Sequence, residues 1–296
     1  MATVGLVGLG LLGSAVAARL IKAGHAVVGF DVLPERVAAL TATGGKAAPS
    51  ASAVAQSSEA ICTLLPSLAA AEAAILGPDG ILAGARAGLT VMQMSTISPM
   101  LTERLAREVG ARSLGFLDCP VSGTSAMVER GDGIFLVGGD RALYERWKPV
   151  LESVLPRAVL VGRVGQAMLL KLVANLLVAL HSAAAAEALT LARKGGLDLD
   201  LALEVLNASA AASGMLKVRG PMIVRGEFPA QMKLELFMKD LHLMQEAAAA
   251  VGAPLPFTDL AERLYGAARA AGHGGEDLAV VVSALETFGG RGAMSS

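Results

Sequence analysis

Residues 7–18 of the chain, VGLGLLGSAVAA, form an uncharged, glycine-rich stretch close to the N-terminus. An apolar run in this place suggests either a membrane or secretory segment or a turn that binds phosphate. A secretory signal carries its positive residues before the apolar core, whereas Arg19 and Lys22 follow it here. A membrane-spanning helix needs about 20 apolar residues, and this run is shorter and interrupted by glycine. The stretch therefore predicts a phosphate-binding turn.

The residues on either side of the stretch support this interpretation. Thr3–Val7 is typical of a short buried strand and residues 11–23 of a helix, with the pattern G-x-G-x-x-G between them. The first glycine of this pattern permits a tight turn, the second lets a pyrophosphate approach the backbone, and the third lets the helix pack closely on the strand. The helix N-terminus offers free N–H groups and a partial positive charge to the phosphates. We expect the whole loop to bind a dinucleotide: Gly8, Leu9, Gly10, Leu11, Leu12 and Gly13.

An acidic residue follows at the position where such a motif binds ribose. Ala26–Phe30 is typical of a second strand, and Asp31 comes directly after it. A carboxylate there accepts hydrogen bonds from both ribose hydroxyls and repels a 2′-phosphate, which favours NAD as the cofactor. Arg36 in the following turn could instead reach a 2′-phosphate, so NADP is the alternative.

The alternation of strands and helices continues through the first half of the chain. Further strands are predicted at residues 59–65, 90–94, 134–139 and 160–161, with alanine-rich helical segments between several of them. This order predicts a Rossmann-type, doubly wound parallel sheet. Strand ends in such a sheet face the cofactor, so we expect contacts from Leu65, Pro66 and Thr96. A cap for the following helix is the alternative role for Ser95 and Thr96.

Composition restricts the function classes. The chain has 296 residues, 54% of them hydrophobic, and 25 basic against 26 acidic residues give a net charge of −1. Such a balance attracts neither nucleic acid nor an anionic membrane, so we expect a small-molecule substrate. Cys62 and Cys119 form no disulfide framework and no zinc spacing, which favours a cytoplasmic protein with buried thiols. No pair among the four histidines has metal spacing, and no metal is expected.

The organisation changes at Gly162. Residues 165–194 are typical of one long helix, and the pattern stays helical almost to the end of the chain. The polar residues of the long helix are too frequent for a helix that spans a membrane. We therefore predict an α/β fold with a Rossmann domain at residues 1–162 and an all-α domain at residues 163–296, joined through a long central helix. An apolar helical domain should be covered by a partner, so a homodimer or homotetramer is expected.

Two polar residues stand out on the long helix. Lys171 and Asn175 are four residues apart, so both project from one helix face among Leu, Val and Ala. A lysine is costly to bury and needs a reason. The alternative to a functional role is a lysine that extends to solvent or to a carboxylate.

A loop of small polar residues precedes this helix. In the segment 118–125, DCPVSGTS, successive backbone N–H groups together with a serine hydroxyl could bind a carboxylate. The alternative is an ordinary turn.

Taken together, these motifs resemble the β-hydroxyacid dehydrogenase family, which includes 3-hydroxyisobutyrate dehydrogenase, tartronate semialdehyde reductase and the 6-phosphogluconate dehydrogenases. Four motifs match in order: GLGLLG at residues 8–13, DCPVSG at 118–123, G-x-x-G…K-x-x-x-N at 162–175 and KDL at 239–241. The resemblance implies Lys171 as catalytic acid and base, Asn175 as a substrate-orienting group, and Ser122 and Gly123 as the carboxylate site. It also implies that Lys239 and Asp240 contact the cofactor and that Thr96 belongs to a cofactor-binding S-T-x-x-P motif.

Two positions depart from the family pattern. Thr124 stands where the family often has glycine, which adds a hydroxyl at the substrate site, and Ala167 replaces a glycine near the start of the catalytic helix. Neither departure alters Lys171. The resemblance implies hydride transfer between NAD(H) and a small 3-hydroxy acid or its semialdehyde. The alternatives are an NADPH-dependent imine or carbonyl reductase of the same architecture and a non-catalytic dinucleotide-binding module.

Overall fold

The computed structural model of the chain describes the backbone of residues 1–291 and the side chains of residues 1–286. It divides into two compact units, Met1–Lys171 and a second unit that begins at Leu172. The predicted boundary between residues 162 and 163 lies before this division and stays a prediction.

The first unit alternates strands and helices. Its strands are β1 (Thr3–Val7), β2 (Ala26–Phe30), β3 (Lys46–Ala47), β4 (Ala60–Thr63), β5 (Thr90–Gln93), β6 (Gly115–Asp118), β7 (Val121–Ser122), β8 (Ile134–Gly139) and β9 (Ala158–Gly162). Its helices are α1 (Leu11–Lys22), α2 (Pro34–Ala42), α3 (Ala51–Ser57), α4 (Leu68–Leu76), α5 (Ile81–Gly84), α6 (Pro99–Gly110), α7 (Ser125–Arg130) and α8 (Arg141–Val154).

The strands form one sheet in the order β3-β2-β1-β4-β5-β6-β8-β7, with β9 paired to β8. The pairs from β3 to β6 are parallel, as is the pair of β8 with β9. Strand β8 runs antiparallel to both β6 and β7. The prediction of a Rossmann-type unit with a doubly wound, mainly parallel sheet is confirmed, and the antiparallel pairs of β8 are the exception to the parallel pattern. Residues 119–133, which include β7 and α7, separate β6 from β8 in the chain. Antiparallel neighbours such as these need no crossover connection.

Helices cover both faces of the sheet. Successive strand residues point to opposite faces, so Leu6 and Leu117 lie in one hydrophobic cluster while Val7 and Phe116 lie in another. The first cluster is completed by α1 and α8 and the second by α3, α4 and α6. Burial on both faces explains why the strands are almost continuously apolar rather than alternating.

The second unit is helical. The long helix α9 (Gln166–Lys194) leads into it, followed by α10 (Leu199–Ala208), α11 (Gly214–Arg225), α12 (Leu234–Val251), α13 (Pro256–Ala270), the short 3₁₀ helices His273–Gly275 and Leu278–Val280, and α14 (Val281–Arg291). This confirms the expected all-α second part and the long helix that joins it to the sheet.

A buried charge cluster holds several segments of the second unit together. The Asp277 carboxylate accepts hydrogen bonds from Arg219 Nε at 2.7 Å and from the backbone N–H groups of Met232 at 2.9 Å and Ala279 at 3.1 Å. Both charged side chains are almost fully buried. A buried ion pair with several further hydrogen bonds is expensive to break, because one charge would remain unpaired.

Helix α9 is long and apolar enough to cross a membrane, with a mean hydropathy of 1.7, and 39% of its most apolar window is buried. The core helix of a soluble protein meets the same criterion of length and composition.

Candidate active site

The glycine-rich loop between β1 and α1 has the geometry that the sequence predicts. Gly8 lies at φ +97° and its N–H donates to the Phe30 carbonyl oxygen at 2.9 Å. A Cβ on Gly8 would overlap the carbonyl oxygen of Leu64, and a Cβ on Gly13 would overlap the carbonyl oxygen of Gly8. These two glycines are therefore required by the fold itself.

Gly10 differs from the other two glycines of the loop. A Cβ there would meet nothing closer than Arg36 Nη1 at 3.9 Å, so nothing within the chain demands a glycine. Gly10 is also the N-cap of α1, which has neither a side-chain cap nor an acidic residue in its first turn. A phosphate would be stabilised by the N–H groups and the positive end of such a helix. The loop therefore fits a dinucleotide, which explains the glycine at position 10.

Asp31 lies at the end of β2 beside this loop. One carboxylate oxygen accepts from the Leu9 N–H at 2.7 Å and the other from the Leu33 N–H at 3.0 Å. Arg36 Nη1 lies 3.3 Å from the carboxylate, and its side chain is 44% exposed. The arginine that could bind a 2′-phosphate is thus held by the carboxylate that favours an unphosphorylated ribose.

A buried polar network joins the ends of β4 and β5. Ser95 Oγ accepts from the Leu65 N–H at 2.9 Å and donates to the Thr63 carbonyl at 3.1 Å. The Gln93 side chain bridges the backbone N–H and carbonyl of Ser95. The role of Gln93 was not predicted from the sequence, although a glutamine at the end of an apolar strand is an informative signal, and Gln93 is fully buried.

The cap interpretation of Ser95 and Thr96 is wrong. Helix α6 begins at Pro99, and its N-cap is Ser98, whose hydroxyl accepts from the Leu101 N–H at 3.2 Å. Ser95 is occupied in the network between the strand ends, because its hydroxyl bonds the Leu65 N–H and the Thr63 carbonyl. Leu65, Pro66 and Thr96 follow the carboxyl ends of β4 and β5, which places them at the edge of the sheet where cofactors bind.

The predicted substrate loop is partly a strand. Val121 and Ser122 form β7 and pair with Ile134 and Phe135 of β8. Gly123 follows, and Thr124 is the N-cap of α7, where its hydroxyl accepts from the Met127 N–H at 3.3 Å. The threonine that departs from the family pattern therefore stabilises the next helix, and its hydroxyl hydrogen remains a donor.

Asp118 connects this region to the start of α9. Its side chain is fully buried, and Oδ2 accepts from the backbone N–H groups of Gly165 at 3.0 Å and Met168 at 2.9 Å. Burial raises the pKa of the Asp118 carboxyl to about 7, opposed by the backbone N–H groups of Met168, Gly165 and Ala167. Asp118 belongs to the DCPVSG motif, but no sequence pattern indicates its role at the start of α9.

Lys171 lies in the second turn of α9 and Asn175 one turn later. Lys171 is 8% exposed and Asn175 is 5% exposed, so both polar side chains lie on a buried face of the helix. This excludes the alternative of a lysine that extends freely into solvent. Ala167, the second departure from the family pattern, is also fully buried.

The helical unit brings Asn175 together with the Lys239-Asp240 pair. Asn175 Nδ2 donates to Asp240 Oδ2 at 2.9 Å, and Lys239 Nζ lies 3.0 Å from Asp240 Oδ1. Because its NH₂ group is committed to a carboxylate, the Asn175 amide has a fixed orientation, with its carbonyl oxygen turned the other way. Asp240 thus orients Asn175, a contact that the sequence did not predict.

Histidine and cysteine side chains are the other groups that could bind a metal or react. Among the described residues no group of three His, Cys, Asp or Glu side chains could hold a metal. His242 is on the helix surface, 69% exposed and 3.5 Å from Glu246. Both cysteines are free and buried, and burial raises the pKa of the Cys62 thiol to about 12, so it stays protonated.

Two family models cover nearly the whole chain. The model for the NAD-binding domain of 6-phosphogluconate dehydrogenase matches residues 3–190, and the model for the NAD-binding region of NADP-dependent 3-hydroxyisobutyrate dehydrogenase matches residues 165–285. The chain belongs to the β-hydroxyacid dehydrogenase family. The protein is therefore an oxidoreductase that binds NAD(P).

Individual members of the β-hydroxyacid dehydrogenase family are similar over almost their full length. The chain is 33% identical to 2-(hydroxymethyl)glutarate dehydrogenase of Eubacterium barkeri, covering 97% of this chain and 96% of that one. It is also 33% identical to 2-hydroxy-3-oxopropionate reductase of Escherichia coli, covering 95% and 96%. The substrates in these names are small carboxylates.

Solved structures of the family have the same fold. The crystal structure of 3-hydroxyisobutyrate dehydrogenase from Salmonella typhimurium matches with a TM-score of 0.86 at 33% identity, over 96% of this chain and 99% of that chain. An imine reductase from Pseudomonas sp. matches with a TM-score of 0.61 at 23% identity, covering 96% and 99%. At that identity the second likeness extends to the fold alone.

Proposed function

We propose that this protein transfers a hydride between NAD(P)(H) and a small 3-hydroxy acid or the corresponding semialdehyde, with Lys171 as the general acid and base. The observation that carries the proposal is a buried lysine one helical turn before a buried asparagine whose amide is held by a carboxylate. Neither a scaffold nor a redox sensor needs this arrangement.

The nicotinamide cofactor supplies the hydride acceptor or donor. Oxidation of an alcohol also requires a base for the hydroxyl proton, and the amine of Lys171 would accept it. In the reverse direction the same amino group, once protonated, gives its proton to the oxygen of the aldehyde. Asn175, oriented by Asp240, would hold the reacting substrate in line with the amine.

The substrate carboxylate would be held by the segment after β6. Ser122 and Gly123 offer a hydroxyl and backbone N–H groups, and the Thr124 hydroxyl hydrogen is a further donor. These groups suit a short acid, as do the small carboxylates in the names of the relatives.

The cofactor contacts proposed here are the residues 8–13, Asp31, Leu65, Pro66, Thr96, Lys239 and Asp240. The carboxylate at the end of β2 supports NAD over NADP, since it already neutralises Arg36. A relative of 26% identity is described in complex with NADP⁺, so NADP is the alternative.

We also propose a cytoplasmic homodimer or homotetramer, with residues 1–162 as cofactor domain and 163–296 as substrate and oligomerisation domain. Several apolar side chains on one face of α9 are exposed, among them Val173 at 47%, Leu177 at 48% and Leu191 at 75%. Their spacing repeats on the same side of a helix, so they form a stripe that a second copy would bury. Light scattering that gives the mass of a monomer would reject this arrangement.

The test follows the near-ultraviolet absorbance of the reduced cofactor with purified protein. A panel of 3-hydroxyisobutyrate, glycerate, threonate, serine, 4-hydroxybutyrate and 6-phosphogluconate is offered with NAD or NADP, and semialdehydes with NADH or NADPH. Lys171→Ala should lower kcat at least ~100-fold while cofactor binding is kept. Lys194→Ala, an exposed lysine at the end of the same helix, is the matched control and should be unchanged.

Two outcomes would overturn the proposal. A Lys171→Ala variant that keeps most of its activity would mean that the proton is transferred by another group. Cofactor binding without turnover of any substrate in the panel would favour the dinucleotide-binding module instead.

A further inference from the structure

We infer that Asp118 is a positioning residue that fixes the first turn of the catalytic helix α9 and, through it, the place of Lys171. The inference rests on the proposed function of Lys171. Asp118 itself touches neither substrate nor cofactor in this scheme and acts only through the helix.

The first turn of α9 needs an external hydrogen-bond acceptor. The first N–H groups of any helix have no partner four residues earlier, and a Ser, Thr, Asp or Asn at the N-cap commonly accepts from them. The residue before α9 is Gly165, which has no side chain and lies at φ +87°. The local sequence therefore cannot supply the side-chain cap.

Asp118 supplies it from the sheet. Its Oδ2 accepts from both the Gly165 and the Met168 N–H groups, 47 and 50 residues further along the chain. Since Asp118 is the last residue of β6 and pairs with Gln93 and Gly138, its backbone is fixed on both sides. The start of α9 is thereby attached to a rigid element.

A glycine on the neighbouring strand lets the helix come this close. A Cβ on Gly138 would lie 2.6 Å from the Arg163 carbonyl oxygen and 3.3 Å from the Ala167 nitrogen. The approach of the segment 163–167 to β8 is therefore tight, and the carboxylate of Asp118 accepts hydrogen bonds at the same place. Two independent features hold the same turn.

The consequence for catalysis is positional. Lys171 follows Met168 by three residues, less than one helical turn, so displacement of the first turn moves the lysine with it. Asp118 also precedes the proposed carboxylate site at Ser122 by only four residues. The end of β6 thus fixes the positions of both Lys171 and the substrate loop at Ser122. A misplacement of about 1 Å at a reacting group can cost about 100-fold in rate.

The test compares two substitutions at Asp118 with a control. Asp118→Asn keeps an oxygen that can accept both N–H groups, whereas Asp118→Ala removes the acceptor. The control is Asp140→Ala, because Asp140 is the N-cap of α8 in the same unit and accepts from the Leu143 N–H at 2.8 Å. That variant removes a carboxylate cap from a helix that carries no proposed catalytic residue.

The expected result separates kcat from cofactor binding. Asp118→Ala should lower kcat at least ~10-fold with the Kd for NAD(P)H unchanged, and Asp118→Asn should restore kcat to within about threefold of wild type. Asp140→Ala should lower the melting temperature with kcat unchanged. An unchanged kcat in folded Asp118→Ala, or an equal loss in Asp118→Asn, overturns the inference.

Two further measurements keep the test decisive. If Asp118→Ala does not fold, Gly138→Ala can be used instead, because it perturbs the same turn of α9 from β8. It should show the same selective loss of kcat. A Gly138→Ala protein with wild-type kcat would overturn the inference. Amide hydrogen exchange at residues 165–168 should be faster in Asp118→Ala than in Asp118→Asn. If the wild-type protein turns over no substrate, the proposed function fails while the exchange rates still decide whether Asp118 holds the helix.

Discussion

The three glycines of the loop between β1 and α1 should respond differently to replacement by alanine. Gly8 and Gly13 are surrounded by backbone of the chain, whereas the position that a Cβ would take at Gly10 is open. We therefore expect Gly8→Ala and Gly13→Ala to destabilise the protein without any cofactor present. Gly10→Ala should fold normally and bind the cofactor weakly.

The magnitudes follow from the local geometry. At Gly8 an alanine would be held at φ +97°, which costs roughly 1–2 kcal/mol, and its methyl group would overlap the Leu64 carbonyl, which costs about 1–3 kcal/mol more. The sum of about 2–5 kcal/mol corresponds to a melting temperature lowered by roughly 5–15 °C. Gly10 has an extended φ of −65° that alanine adopts freely, so its melting temperature should stay within about 2 °C of wild type.

The effect on cofactor affinity should be large at Gly10, where the effect on stability is small. A methyl group at position 10 lies where a pyrophosphate would approach the start of α1, so the Kd for NAD(P)H should rise at least ~10-fold, or about 1.4 kcal/mol. The assay combines thermal unfolding of the cofactor-free proteins with a titration of NADH fluorescence. Wild-type affinity in Gly10→Ala, or a loss of stability as large as that of Gly8→Ala, would refute the argument.

Three other predictions concern buried or paired charges. Replacing Asp31 by serine releases Arg36, so the ratio of kcat/KM for NADP to that for NAD should rise at least ~10-fold in steady-state kinetics; an unchanged ratio would mean that Asp31 does not select the cofactor. Because the pKa of Asp118 is raised from 3.8 to about 7, the native state binds its proton more tightly, and the free energy of unfolding should fall by up to about 4 kcal/mol as the pH rises from 4 to 7. Urea unfolding should show this decrease in wild type relative to Asp118→Asn, and parallel pH curves would contradict it. Asp277→Ala leaves Arg219 buried without its carboxylate and should cost about 3–5 kcal/mol in the same assay, while a loss below about 1 kcal/mol would disprove the role of that pair.

The sequence by itself determined the local elements of the cofactor site. The pattern from Thr3 to Asp31 contains a strand, a turn that only glycine can make, a helix and a second strand, and the structure has these elements at Thr3–Val7, Leu11–Lys22 and Ala26–Phe30. These features depend on neighbours in the chain, such as the overlap that excludes a side chain at Gly13. The long helix and the spacing of Lys171 and Asn175 were determined in the same way, by helical periodicity.

Contacts between distant segments could not be derived from the sequence. The antiparallel direction of β8 depends on its pairing with β6, which lies earlier in the chain. The use of Ser98 rather than Ser95 as the N-cap of α6 depends on the network that joins the ends of β4 and β5 through Ser95. The same holds for the bond between Asn175 and Asp240, 65 residues apart. Propensity and periodicity describe a segment and its near neighbours only.

Asp118 shows most clearly what the sequence determines and what only the tertiary structure decides. The sequence places it in a motif before Ser122 and gives no sign of its partner. Only the tertiary structure brings its carboxylate to the N-terminus of α9, because the sheet and the helix must pack before two backbone N–H groups 47 and 50 residues away can meet it. The sequence thus supplied the chemical groups of this protein, while the packing of the sheet against the start of α9 decided how the Asp118 carboxylate is used. Hydrogen bonds between residues so far apart in the chain form only in the folded state.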